Sequence, residues 1–513
     1  MPADTSTTAR ANWWLSPTGP REGVWLGLVL ALLSCLPVLL ARYPQMGDYP
    51  AHLARYHVML AQDGHPFLQQ YYSFEWRWSG NLGADLLIRP LAALLGLETA
   101  GRVIAGLIPV LTGLAIMAVG WVLRGRIGFA SLLAFNFIWQ PSLLLGFLNY
   151  TLAFALALFA FALWVKLGVK LGVKLAGKPW RAALFVPIGV IVWLCHVSGW
   201  GVLGILVFGY EFSRRKTWRA FVAPWPLLLP LGIMLGGAVA GSGGAGSGLG
   251  GISYGKVPLF FKQVLWIRGM RDQSEWLDLA SMGLVGLVFL LVLLFKRIDG
   301  RTGWASIIMV LGSLAMPRHI FGGDYADYRL ISAGLLIGCI SIGWRAPRLL
   351  LVLPVVLFGV RLGVTSETWL RGSQQTELAL VALEHVPQGA RVASVVGVET
   401  GTWGFNTFEH IGGYATVRKD ALVNLHFALP GVHMIALKPG AVPPGVRFVD
   451  PSQRLFVRAG QPVDLSAFAP AAAADYLWYV GAEPVGALPR GARVLHAAPG
   501  SLLLRLAKAP RGS

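Results

Sequence analysis

The sequence predicts a polytopic α-helical membrane protein of about eleven transmembrane helices, followed by a C-terminal α/β domain. Three observations carry this. Uncharged apolar runs of roughly 18–20 residues, long enough to cross the hydrocarbon core, recur through the first two thirds of the chain. They are continuous rather than alternating, which points to helices and away from a barrel. The 513 residues are 55% hydrophobic and 13% charged, with 20 Trp and 25 Phe, more apolar surface than a soluble domain of that size hides. Beyond Thr365, charge, Pro and Gly become frequent.

In chain order the expected spans are 24–42, 103–123, 127–141, 150–165, 182–195, 199–212, 221–240, 277–295, 303–316, 329–344 and 348–363. Met1–Thr18 is polar and lacks the form of a cleavable signal. Lys and Arg cluster after every second span, which puts the N-terminus in the cytoplasm and the end of the last helix outside. The inner segments hold eighteen Lys and Arg against Asp4, Glu22, Glu211 and Asp299, and so account for +14 of the formal +19. The basic charge is thus a topology signal, and no fold signature of a nucleic-acid partner accompanies it. Lysines at every fourth position of Lys166–Lys178 form a face for anionic headgroups. Cys35, Cys195 and Cys339 lie in apolar runs without CxxC spacing, so neither a disulfide framework nor a zinc motif is expected.

Three outward segments are long. The first, 43–102, holds two helices expected to lie on the membrane surface, Pro50–Gln62 and Ala84–Leu95. The second, Gly236–Leu277, opens with a Gly/Ser tether at Gly241–Gly248. The third is Pro317–Tyr328. The division is therefore a membrane module at 1–364 and an extracytoplasmic domain at 365–513. Expected strands in that domain are Arg391–Val398, Val446–Val449, Tyr476–Val480 and Ser501–Leu506, with a helical piece at Gln375–His385.

The most informative residue is Asp48, a carboxylate just beyond the first span in Gly47-Asp48-Tyr49-Pro50-Ala51-His52. There it is placed to take a proton from an acceptor hydroxyl, and equally to cap the helix that starts near Pro50. His52, Arg55 and Tyr56 follow at helical spacing. Asp48 and His52 lack a third metal ligand, and no divalent metal or other cofactor is expected. Glu75, between Phe74 and Trp76, and Asp85 are the other acids of this loop; aromatic neighbours of Glu75 suit interfacial packing or stacking on a sugar. A lipid-linked phosphate needs cations at the same surface. Lys256, Lys262, Arg268, Arg271, Arg318 and Arg329 are the candidates, with Asp324 and Asp327 as ion-pair partners that compete for Arg329. His196 sits at a tight outward turn. Gly401–Tyr414, with Trp403, Asn406, Glu409 and His410, reads as a surface loop or as a wall facing the acceptor. No P-loop, Rossmann fingerprint or Ser-His-Asp spacing is present, so direct use of ATP or a nucleotide-sugar is not supported.

An acid just past the first helix, a long first outer loop with two helices, about a dozen spans and a soluble domain after the last one together resemble the GT-C superfamily of integral-membrane glycosyltransferases. The resemblance covers the chain in architecture and rests in sequence on Gly47–His52. It implies transfer of a sugar from a polyprenyl-phosphate carrier to a lipid, glycan or protein at the outer face of a bacterial inner membrane, with Asp48 as base. Many members carry paired acids where this chain has Asp48-Tyr49, so a second acid has to come from elsewhere. The alternatives are a transporter or flippase of envelope precursors, which needs a polar path at mid-bilayer, and a non-catalytic envelope scaffold.

Overall fold

The computed structural model describes residues 13–170, 179–240, 251–255, 261–320, 323–428, 433–450 and 453–507. The candidate Lys256, the Gly241–Gly248 tract and Lys174 and Lys178 lie outside the described residues. Among those described, five helices are long and apolar enough to cross a membrane: Pro20–Leu40, Leu97–Arg124, Leu148–Gly168, Glu275–Leu294 and Arg348–His385. Arg219–Leu227 and Leu229–Gly236, bent by 65° at the break between them, make a sixth if taken as one span. Shorter helices occupy other expected positions: Pro179–Cys195, Val197–Arg215, Gly300–Ala315 and Ala326–Ile340.

Local chemistry explains where the helices depart from the hydropathy pattern. The segment expected to span at 127–141 is helical only over Phe129–Phe135 and again over Pro141–Leu144. The first run ends in tight i→i+3 turns at Asn136–Ile138, where the Asn136 Nδ2 donates to the Leu132, Leu133 and Pro354 carbonyls, and Pro141, which has no amide donor, opens the second run. Phe129–Leu144 is buried throughout, so its apolar character reflects packing against protein on all sides. The first long connection ends earlier than expected, at Gly96, where a positive φ of 76° turns the helix Gly83–Leu95 into Leu97–Arg124.

Three acids of the segments expected inside each have a base of the same set as partner: Glu22 with Arg348 at 2.7 Å, Glu211 with Arg215 at 3.0 Å and Asp299 with Arg301 at 2.8 Å.

The C-terminal part is built on a mixed six-stranded sheet. Its central strand, Arg391–Glu399, runs parallel to Tyr476–Val480, to Leu422–Val423 and to Leu455–Val457. Tyr476–Val480 pairs antiparallel with Ser501–Arg505, which pairs antiparallel with Arg493–Ala498. Val392–Val396 is buried throughout, as expected of a central parallel strand covered on both faces. The strand expected at Val446–Val449 does not form. Pro443 and Pro444 lead into it, and Phe448 enters the core from an irregular segment tied down by Asp450 N–H donating to the Asn424 carbonyl. Gln375–His385 is the end of Arg348–Leu380 and its 3-10 extension, so one continuous helix carries the chain from bundle to sheet.

The first connection and the sheet domain fold as one body. Tyr72–Phe74 adds an antiparallel strand to Ile435–Leu437. Val58, Leu68, Tyr71 and Tyr72 share a core with Ala393, Val395, Leu422 and Leu477. The bundle core runs without a break into Val392, Val396, Ile411, Tyr414 and Trp478.

Candidate active site

Asp48 stands at the start of the helix Tyr49–Ala61. Its peptide N–H donates to the Leu145 carbonyl at 2.9 Å, and that of Gly47 to Leu144 at 3.2 Å, which seats the motif on the Pro141–Leu144 turn. The approach is possible because Gly146 has φ +88°: a Cβ there would fall 2.8 Å from the Asp48 nitrogen. Asp48 occupies the N-cap position, but its side chain makes no capping hydrogen bond. The carboxylate turns instead to the C-terminal domain, where it meets His410 Nε2 at 3.4 Å, and it keeps 23% of its surface exposed.

Two imidazoles of the site, His410 and His52, are pushed in opposite directions by their surroundings. His410, only 3% exposed, has Nε2 on the Asp48 carboxylate and Nδ1 3.3 Å from the Leu425 carbonyl. Both partners are acceptors, an environment that favours a proton on each ring nitrogen. Burial works against that charge, yet the hydrogen bond to Asp48 and the negative charges of Asp48 and Glu409 outweigh it and raise the pKa above the usual imidazole value. His52 has Nε2 3.1 Å from the Gly146 carbonyl and Nδ1 facing the Arg55 guanidinium at 3.3 Å. One acceptor and one donor fix a neutral ring, and burial, with the Arg55 charge, depresses its pKa to about 3. Burial also raises the pKa of Glu409, which pairs with Arg454 at 2.6 Å.

Gly401–Tyr414 is therefore no surface loop. Arg271 Nη2 donates to the Gly404 carbonyl at 3.2 Å, Gln273 Nε2 to Phe405 at 3.3 Å, and Trp403 Nε1 to the Asp278 carboxylate at 2.8 Å. Gly413 then packs backbone on backbone against the motif: a Cβ on it would lie 2.3 Å from the Pro50 carbonyl oxygen.

Behind Phe147, next to the Gly146 turn, lies a second cluster. The Arg329 guanidinium sits 4.3 Å over the Phe147 ring and is 9% exposed. Neither acid expected to pair with it does so. Asp327 binds Lys262 at 2.9 Å, and Asp324 lies 3.6 Å from Arg318. Among the described residues Arg329 has no carboxylate within 4 Å, and its Nε has no hydrogen-bond partner. Its nearest polar side chain is His196, whose Nε2 is 3.4 Å from Nη1. His196 Nδ1 accepts from Ser198 N–H at 3.0 Å, so a neutral ring carries its proton on Nε2. Two donors thus face each other without an acceptor between them, an arrangement an anion completes.

The other sequence candidates fall into distinct places. Arg55 and Asp85 form a buried ion pair at 2.8 Å, supported by Asn149 Nδ2 donating to Asp85 at 3.0 Å. Arg55 also stacks on Tyr56, which packs on His52. Lys262 is sealed with Asp327. Arg271 is spent on backbone carbonyls, Arg268 lies over Trp403 at 5.5 Å, and Arg318 lies over Tyr325 at 3.6 Å. Glu75 points to solvent at 72% exposure, with Arg77 3.5 Å away. The site thus gathers Asp48, His52, His196 and Arg329 from the sequence candidates and adds His410 and Glu409.

The five long apolar helices and the appended sheet together define a multi-pass membrane protein with an additional C-terminal domain. Its fold is similar to that of ArnT from Cupriavidus metallidurans, whose crystal structure has undecaprenyl phosphate bound: the TM-score is 0.51 at 12% identity, over 95% of this chain and 98% of that one. No family model and no curated protein matches the chain.

Proposed function

We propose that this protein is a GT-C glycosyltransferase that moves a sugar from a polyprenyl-phosphate carrier to a lipid, glycan or protein acceptor at the outer face of a bacterial inner membrane. One observation carries the reading: a partly exposed carboxylate, Asp48, faced by His410, and a buried Arg329–His196 pair with no carboxylate within 4 Å among the described residues pack against the same Leu145–Phe147 turn. The fold likeness to a protein bound to undecaprenyl phosphate supports a carrier of that class. In this reading the four shorter helices, the bent pair and the broken segment around Phe129–Leu144 complete eleven crossings, and the sheet domain closes the site from outside.

The chemistry divides between the two clusters. Asp48 takes the proton of the acceptor hydroxyl as its oxygen attacks the anomeric carbon. The bond from that carbon to the phosphate oxygen breaks on the opposite face, with inversion, and the electron pair leaves with the polyprenyl phosphate. Arg329 and the His196 N–H, both buried, meet that charge. Lys262 and Arg271 already have protein acceptors, whereas Arg329 has no carboxylate partner among the described residues and so is available to the phosphate. His410 touches the base and holds its carboxylate in place.

Purified protein in nanodiscs, given radiolabelled polyprenyl-phosphate sugars and membrane extracts as acceptor source, tests the proposal. Transfer of label to an extractable product supports it. Translocation of the labelled lipid without transfer makes the protein a flippase, and binding alone makes it a scaffold.

A further inference from the structure

We infer that His57, His65 and Asp420 form a binding site for a divalent metal ion of the zinc class, one that clips the first connection to the C-terminal domain. His57 Nε2 lies 2.8 Å from one oxygen of the Asp420 carboxylate, and His65 Nδ1 lies 2.8 Å from the other. The two rings are 5.5 Å apart and nearly perpendicular. The three ligand atoms all fall within 4.8 Å of one another.

Two imidazoles and one carboxylate are a donor set that suits zinc. Bonds of about 2.0–2.2 Å in tetrahedral geometry spread ligand atoms to roughly 3.3 Å. Reaching that from the present arrangement takes a small opening of the two histidine–carboxylate pairs and a rotation of the His65 ring. His65 is 42% exposed and free to make it, while His57 and Asp420 are each 14% exposed, so solvent reaches the remaining coordination positions. Asp420 is held at φ +50°, a conformation that Asp adopts more readily than most residues, directly after the helix Gly413–Lys419. Neither the seven-residue gap between the histidines nor the distant Asp420 is a motif that sequence alone reveals.

The place of the cluster tells what it does. Asp48 and His57 stand nine residues apart on one helix, roughly 13 Å at 1.5 Å per residue. His410 and Asp420 flank the helix Gly413–Lys419, which packs on the first through Gly413 and Pro50. The pair of helices is therefore pinned at one end by Asp48–His410 and at the other by His57–Asp420–His65. A metal at the second pin stiffens the join that positions the first and stays too far away to touch the reacting atoms.

The full-length protein, purified through a tag without histidine and stripped with chelator, is titrated with zinc. Retained metal is counted by mass spectrometry, and thermal unfolding is followed with and without the ion. One tightly held equivalent in the wild type, a zinc-dependent rise in melting temperature, and loss of both in His65→Gln and in Asp420→Asn are expected. Asparagine tolerates the left-handed conformation at 420, and position 65 is half exposed, so both variants keep the fold, as checked by their unfolding in chelator. Cobalt in place of zinc should give the visible bands of a low-coordinate site, absent in both variants. Asp48→Asn should bind zinc as the wild type does, which separates this proposal from the catalytic one. No stoichiometric zinc in the wild type, or unchanged zinc in both variants, overturns the metal and leaves a hydrogen-bonded histidine–aspartate–histidine clip.

Discussion

Replacing His410 with Gln removes the imidazolium that faces Asp48, and its cost should depend on pH in a way that ordinary loss of packing does not. A hydrogen bond between charged partners contributes about 1.5–3 kcal/mol. The 3.4 Å separation and the partial exposure of Asp48 place this one near the lower end. Because the folded pKa of His410 lies above its unfolded value near 6.5, the native state binds the extra proton more tightly. The stabilisation is fully present below about pH 6.5 and is lost as pH rises through the raised native pKa. Apparent unfolding midpoints of wild type and His410→Gln, measured in detergent across this range, should lie furthest apart at the acid end and converge toward alkaline pH. A constant offset remains from the lost Leu425 contact. A difference independent of pH, or one that widens as pH rises, refutes the charged state assigned to His410.

Other changes test separate parts of the structure. Gly413→Ala puts a methyl group 2.3 Å from the Pro50 carbonyl and should cost about 1–3 kcal/mol through displacement of the docked helix, read as a lower melting temperature. Asp85→Ala leaves Arg55 charged and buried without its partner and should cost about 3–5 kcal/mol, far more than Glu75→Ala at the exposed position, which should be near neutral in the same assay. Arg329→Lys keeps the charge but not the fork, so it should weaken binding of a polyprenyl phosphate at least tenfold in a competition assay, with the melting temperature little changed.

Much of the architecture was legible in the sequence because lipid imposes simple rules. Apolar length and loop charge located the helices, the two helices of the first connection and the main strands of the sheet. Those rules failed where protein rather than lipid surrounds the chain. Phe129–Leu144 is apolar because it is buried, and its helix gives way to tight turns at Asn136 before Pro141 opens a second short helix. Val446–Val449 has strand-like residues but is fed by prolines. Asp48 could be picked out by position. His410 was legible only as a member of the Gly401–Tyr414 loop, because its role depends on a contact across more than 360 residues. Arg329 illustrates the converse. Its neighbours Asp324 and Asp327 suggested an ion pair, and only the three-dimensional arrangement gave those acids to Arg318 and Lys262.

The catalytic claim stands or falls on Asp48→Asn. The substitution keeps the side chain's shape and its capacity to accept from His410, but it removes the base. With radiolabelled polyprenyl-phosphate sugar and a competent acceptor, the variant should fold and bind the carrier like the wild type while transfer drops by at least a hundredfold. Transfer at the wild-type rate would mean that this carboxylate does not take the acceptor's proton.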